Sequence, residues 1–523
     1  MRSVRSLLPP LAASLLLSCA EAPPPAPSLP LAPVSTLPPS PPPPPPRAPL
    51  FDPLAGGLAP EAMTRLCDDH LAAASRLAQS LHALASAPAS ELTYEATLGR
   101  FDDIVNEMRD AQEVPHLMAL AHPDAAVRDA SKPCDPKVDA FNTALYLDAG
   151  IAAALKAFAA AHGTELQGER ARLLSDTLRD FRRNGSELSP ADQQLLSRYN
   201  AEIADIGQKF EINIGRVTGT LALRPEQLAG LPKEYVEKHP AKDGKVTVTT
   251  DYPDYFPFIT YAKDRKAALD LYVLFTNRGG DENVALLDRL LAVRGKKAHL
   301  LGYKTWADYA LEPRMAKNPE TVRAFLAEVR AAVKKPVEAE LAEMVREHVA
   351  LGGKASDALT PPERYYLEDR VREKKYKLSS KELSAYFEVG AVVKGLLDVA
   401  STMYALTFTK VDAPAWHPDV AVYEVRSQGA LLGTMYLDLY SRQDKYKHAA
   451  EFTMRSAKRL PDGRMQLPEA ALECNFPKPS AGGPPALMTH DEVTTFFHEF
   501  GHLLHELLTK SELASYSGTS TVL

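Results

Sequence analysis

The stretch Thr489-His490-Asp491-Glu492-Val493-Thr494-Thr495-Phe496-Phe497-His498-Glu499-Phe500-Gly501-His502-Leu503-Leu504-His505 decides how the chain is read. Thr489 followed three residues later by Glu492 fits a capping box, in which the threonine oxygen accepts a first-turn amide and the glutamate reaches back to the cap. Beyond the cap, Val493, Phe496, Phe497, Phe500, Leu503, Leu504 and Leu507 form a broad apolar surface, which predicts a helix and its deep burial. Four residues advance such a helix by about 400° and about 6 Å, so His498 and His502 point the same way and can grip one divalent ion. Neutral imidazole suits zinc.

The chemistry follows from the residue between them. Zinc lowers the pKa of a bound water to about 7, and an adjacent carboxylate can take that water's proton as it attacks a peptide carbonyl. Glu499 is therefore the expected general base, with His498 and His502 as metal ligands and one Zn2+ as cofactor. The five-residue pattern alone arises by chance in about one chain in fifty, so its helical context carries the weight. Catalytic zinc needs a third protein ligand. The metzincin pattern fails because Leu508 stands three residues after His505. Glu506 and Glu512 match no third-ligand spacing, and Glu506 reads as a helix-surface charge.

Upstream of this helix the texture alternates. Val420–Arg426, Leu431–Tyr440, Glu451–Arg455 and Ala470–Phe476 read as short strands, with Gly429 marking a hairpin and Pro477–Pro485 breaking the chain before the capped helix. From about 60 to 410 helical periodicity dominates: Met63–Leu84, Tyr94–Ala111, Pro136–His162, Gly168–Arg183, Pro190–Asn213, Lys263–Phe275, Asn283–Leu300, Pro319–Val349 and Ser380–Tyr404. Leu221–Leu223 and Lys245–Thr250 are brief strand-like interruptions, and Asp369–Lys377 reads as a solvated helix face.

At 523 residues with 45% hydrophobic content the chain can bury a large core. The formal net charge is −7; removing Arg2 and Arg5 from the 60 basic residues leaves 58 against 67 acidic, a charge of −9. That balance excludes an electrostatic footprint for nucleic acid. Residues 1–19 read as a secretory signal, and Leu16-Leu17-Ser18-Cys19 resembles the lipobox of bacterial lipoproteins, with Cys19 as the lipidated residue. Residues 20–50 form a proline-rich linker that includes the uninterrupted Pro41–Pro46 and favours extended polyproline II. The domain reading is then 1–19 signal, 20–50 linker, 51–410 helical lobe and 411–523 zinc-binding lobe. Such a protein is expected in a bacterial cell envelope, lipid-anchored and facing the periplasm, with the membrane touched only through the anchor. In that oxidising compartment Cys67 and Cys134 either pair or remain two buried thiols; sequence alone leaves both open.

Further residues bring a family into view. Thr489–Val493 and Phe497–His505 resemble the M3 family of oligopeptidases, as do Tyr436–Tyr440 with Lys445-Tyr446 and His448-Ala449-Ala450, then Cys474-Asn475-Phe476. Asn277-Arg278-Gly279, Leu300–Tyr303, Ala307-Asp308-Tyr309 and Met315-Ala316 resemble the family's helical segments, so the likeness covers residues 60–523. It implies a mainly α, two-lobed zincin-type metallopeptidase with a small β-sheet next to the zinc helix and a deep substrate channel. It also implies monomers acting on short peptides. In the family the third ligand is a glutamate about 25 residues beyond the second histidine. That spacing points near position 527, past the final residue Leu523, together with the residues that hold substrate. The other expectation for this chain is therefore an inactive remnant or peptide-binding fragment whose catalytic lobe exposes apolar surface.

Overall fold

A computed structural model describes residues 54–521 apart from 55, 216–218, 379, 443–444, 447 and 480–484. The signal segment, Cys19 and the proline-rich linker lie outside the described residues. The first helices are α1 (Pro60–His82), α2 (Leu98–Ala121), α3 (Ala125–Ser131), α4 (Cys134–Leu147), α5 (Ala149–His162), α6 (Gly168–Arg183) and α7 (Pro190–Gly215). A hairpin of β1 (Thr220–Leu223) and β2 (Val246–Thr249) encloses α8 (Lys233–Lys238). There follow α9 (Tyr252–Tyr261), α10 (Arg265–Thr276), α11 (Gly280–Leu300), α12 (Trp306–Leu311), α13 (Pro319–Ala350), α14 (Pro361–Tyr376), α15 (Ser380–Ser384) and α16 (Val389–Tyr404). The chain then runs through β3 (Leu406–Val411), β4 (Ala421–Ser427), β5 (Ala430–Tyr440), β6 (Ala450–Arg455), β7 (Lys458–Arg459), β8 (Met465–Gln466) and β9 (Glu469–Phe476) into α17 (His490–Leu507). The protein is mainly helical with small sheets.

Capping chemistry explains where the observed helices depart from periodicity. The segment 136–162, apolar enough to read as one helix, is two, because the Asp148 carboxylate accepts the Ile151 amide at 2.8 Å and starts α5 afresh. Likewise 380–404 divides into α15 and α16, with Glu388 accepting the Ala391 amide at 2.8 Å. Ala405, left-handed at φ 54°, ends α16 and lets β3 begin, a strand that the apolar spacing of its neighbours concealed. Asp369–Lys377 does fall on α14, which pairs its charges with α13 through Glu347, Arg370 and Lys374.

Five strands form the sheet that positions the site, in the order β3-β4-β5-β9-β6, antiparallel except for the β5–β9 pair. Gln428 and Gly429, both at positive φ, make the two-residue turn between β4 and β5. Alternation sorts the side chains. Met435, Leu437, Leu472 and Cys474 face α16 and α17 on one side, whereas Val422, Tyr436, Met454 and Ala471 face α1 and α2 on the other. A second core of α1, α2, α5 and α6 takes in Leu513 and Tyr516 from the segment after α17, and a third joins the β1–β2 hairpin to α9 and α10. The long α13 leaves Phe325, Leu326, Val333, Val337 and Leu341 exposed. Cys67 and Cys134 form a disulfide, Cα to Cα 5.9 Å, tying α1 to the start of α4. Among the described residues no single helix is long and apolar enough to cross a membrane.

Candidate metal centre

The capping box at the start of α17 is formed as the sequence predicts: Thr489 Oγ1 accepts the Glu492 amide at 3.2 Å, and Glu492 Oε2 accepts the Thr489 amide at 2.7 Å. With its start fixed, the helix turns Phe496, Phe500, Leu503 and Leu507 into the core above the sheet. Deep burial all round is not what results. Phe497 is 41% exposed and His498 and His502 are exposed, so one face is buried and the other open. The apolar count overstated burial because Phe497 lies about 100° round the helix from Phe496, off the buried face.

On that open face the two imidazoles converge. Their Nε2 atoms stand 3.3 Å apart and the ring planes meet at 81°. Two nitrogens bound to one tetrahedral zinc at about 2.0–2.1 Å would be separated by about 3.3–3.4 Å. The separation of the donor pair therefore matches one edge of a tetrahedral zinc site. Glu499, half-buried, is the next residue round the helix from His498. Its charge is felt by Cys474, whose thiol is pushed up chiefly by burial and then by the Glu499, Glu473 and Asp438 carboxylates, against the pull of Lys445. Cys474 is accordingly a buried neutral thiol of the core.

A third donor does not join the pair: among the described residues no group of three His, Cys, Asp or Glu side chains is placed to hold one ion. Glu506 is not the surface charge expected of it. It is 1% exposed and accepts Ser517 Oγ at 2.6 Å and Thr453 Oγ1 at 3.3 Å, and burial holds its pKa above the usual range. The next segment folds back over it, which helix spacing alone could not reveal. Glu512 is exposed and paired with Arg459. His505 lines an open groove of about 570 Å³ with Gly501 of α17, Leu508 just after it, Glu169 and Arg172 from α6 and Tyr404 from α16.

Sequence reasoning missed the buried charges on the far face of the sheet that backs this helix. Asp438 on β5, fully buried, accepts Arg442 at 2.6 and 2.7 Å, Lys445 at 2.8 Å and Trp416 Nε1 at 2.8 Å. Beside it in register stands Glu473 of β9, also fully buried. The spacing of Asp438 and Lys445 carries no periodic signal; the connection after β5 folds back to bring Lys445 onto Asp438, and strand pairing sets Glu473 beside it.

Comparison with known proteins agrees with this architecture. The sequence pattern of peptidase family M3 matches residues 258–523. The chain is 30% identical over 457 residues to the thimet-like oligopeptidase of Dictyostelium discoideum, covering 83% of this chain and 67% of that protein. Oligopeptidase A of Escherichia coli (strain K12) is 32% identical over 380 residues, 69% of this chain and 55% of its own length. Saccharolysin of Saccharomyces cerevisiae is 28% identical over 455 residues, 82% and 62% respectively. This chain belongs to peptidase family M3. It spans between about half and two thirds of the length of these curated relatives.

Proposed function

We propose that the protein is a zinc metallopeptidase that hydrolyses peptide bonds in short oligopeptides. The observation that carries the reading is the 3.3 Å approach of His498 Nε2 and His502 Nε2 on the open face of a capped helix, with Glu499 between them in sequence. A zinc ion held there would polarise a carbonyl and acidify a water. With the ion bound, Glu499 would be placed as general base and then general acid toward the departing amine, a role worth about 10² to 10⁴ in rate. His498 and His502 would supply the ring nitrogens that hold the ion, and the buried face of α17 keeps them in register. Family membership and relatives named as oligopeptidases support peptides as the substrate class.

The test is cleavage of a quenched fluorescent peptide by the zinc-loaded chain, with zinc content measured in parallel. Chelator should abolish cleavage and Glu499→Gln should lower it by about 10² to 10⁴. Chelator-insensitive cleavage, or full activity in Glu499→Gln, refutes the assignment. One observation favours a second reading, peptide binding without hydrolysis: only two donors gather among the described residues. Peptide bound in fluorescence anisotropy yet recovered intact, with no stoichiometric zinc, would select it.

We also propose a periplasm-facing, lipid-anchored monomer of a bacterial envelope. The lipobox-like Leu16–Cys19 supports the anchor, and the Cys67–Cys134 disulfide suits an oxidising compartment. Fatty-acid labelling lost in Cys19→Ala tests the anchor, and sedimentation of the chain tests the monomer.

A further inference from the structure

The segment that follows α17 is more tightly held than a surface connection needs to be. Residues 513, 514, 516, 517 and 518 are buried. Buried backbone must be paid in hydrogen bonds. Asp102 of α2, fully buried, accepts the Ala514 amide at 3.0 Å, the Ser515 amide at 2.9 Å and Ser515 Oγ at 2.7 Å, and its remaining partner is Lys458 of β7. Four donors saturate one carboxylate. Glu506, inside α17, accepts Ser517 Oγ at 2.6 Å, and the same hydroxyl accepts the Ala457 amide at 2.8 Å. Arg109, two turns along α2 from Asp102, donates to Ser520 Oγ at 2.8 Å and to Ser456 Oγ at 3.0 Å.

Gly518 completes the attachment. Its φ is +51°, and a Cβ there would stand 1.7 Å from Glu506 Oε2, so the backbone lies directly on the carboxylate of the last full turn of α17. A helix from the opposite face of the sheet, more than 400 residues earlier in the chain, thus grips the backing of the turn that bears His502 and Glu506.

We infer that Asp102 and Glu506 are positioning residues of the metal centre: they lock the largely buried segment 514–520 against the last turns of α17 and so hold His502 opposite His498. The inference rests on the zinc reading of that histidine pair. Neither carboxylate gathers with His498 and His502; each is engaged by the segment after α17 instead. Outer residues that orient a ligand commonly change metal affinity by about 10- to 100-fold when removed.

The experiment uses the full chain with Co2+ as probe, read by its visible absorption and by competition with a chromophoric chelator. Asp102→Asn and Glu506→Gln keep the shapes, and Ser515→Ala removes one donor should either carboxylate variant fail to fold. Lys374→Ala, which breaks an ion pair between α13 and α14 remote from the sheet, controls for general destabilisation. The expected result is a 10-fold or greater rise in the Co2+ dissociation constant and altered absorption in the clamp variants, at unchanged affinity in Lys374→Ala. Amide exchange of metal-free protein should speed up at 503–507 in the same variants. Clamp variants that fold, bind Co2+ as the parent does and protect 503–507 equally overturn the inference. If instead the parent and His498→Ala bind Co2+ alike, the metal reading fails, and the exchange result alone decides whether the clamp holds α17.

Discussion

Glu473→Gln should stabilise the protein increasingly as pH rises. Glu473 sits in β9 opposite Asp438 of β5, both fully buried. Arg442 and Lys445 are committed to Asp438, and Lys445 spends its other protons on the carbonyls of Asp438 at 2.7 Å, Cys474 at 2.7 Å and Tyr440 at 3.1 Å. Both Glu473 carboxyl oxygens are left without a hydrogen-bond partner among the described residues. Burial first and the Asp438 charge second push the Glu473 pKa up to about 8, although Lys445 and Arg442 pull it down. The folded protein keeps this carboxyl protonated while the unfolded chain, titrating near its ordinary 4.5, ionises. Stability from this group is complete below pH 4.5, falls between 4.5 and about 8, and is gone above. At 1.36 kcal/mol per pH unit, the loss by pH 7 is on the order of 3 kcal/mol. Glutamine has the same shape and never ionises. Its difference in Tm from the parent should therefore be flat below pH 4.5 and then climb by several degrees toward pH 8, measured by scanning calorimetry across that range. A difference that stays flat up to pH 8 would show that Glu473 is ionised in the fold and refute the reasoning.

Other substitutions probe the scaffold and the site. Replacing Cys67 and Cys134 by serine reopens a 67-residue separation and should lower stability by about 2–4 kcal/mol, seen in denaturant melts of oxidised and reduced protein. Thr489→Ala removes the cap of α17 and should lower stability by about 1 kcal/mol, with Thr489→Ser recovering most of it. Gly518→Ala must displace Glu506 and strain a left-handed residue, so it should lower Tm more than Gly429→Ala, whose Cβ would meet open space. His498→Ala should abolish tight zinc binding while leaving far-ultraviolet circular dichroism intact, because the ring is exposed and makes no core contact.

The local features of α17 were readable because they depend on neighbours within a few residues. The Thr489–Glu492 box, the shared face of His498 and His502 and the Gln428-Gly429 turn between β4 and β5 all take the expected form. Helix ends were less legible where an acidic residue could cap from within an apolar run, as Asp148 and Glu388 do. Glu506 was misread because its distance from His502 says nothing about what folds back over it.

From sequence alone came the mainly helical body, the sheet before the metal helix, and the chemistry of two imidazoles beside a carboxylate. Those follow from periods of two and 3.6 residues, which a single segment carries within itself. Tertiary structure decided which carboxylates are charged, which are buried, and what grips the helix from behind. Asp438 meets Glu473 only once β5 and β9 pair, and Asp102 meets Ser515 only once the segment after α17 packs on α2. A carboxylate's pKa depends on desolvation and nearby charge, and for Glu473 the charges come from Asp438, Lys445 and Arg442, which lie outside its own strand.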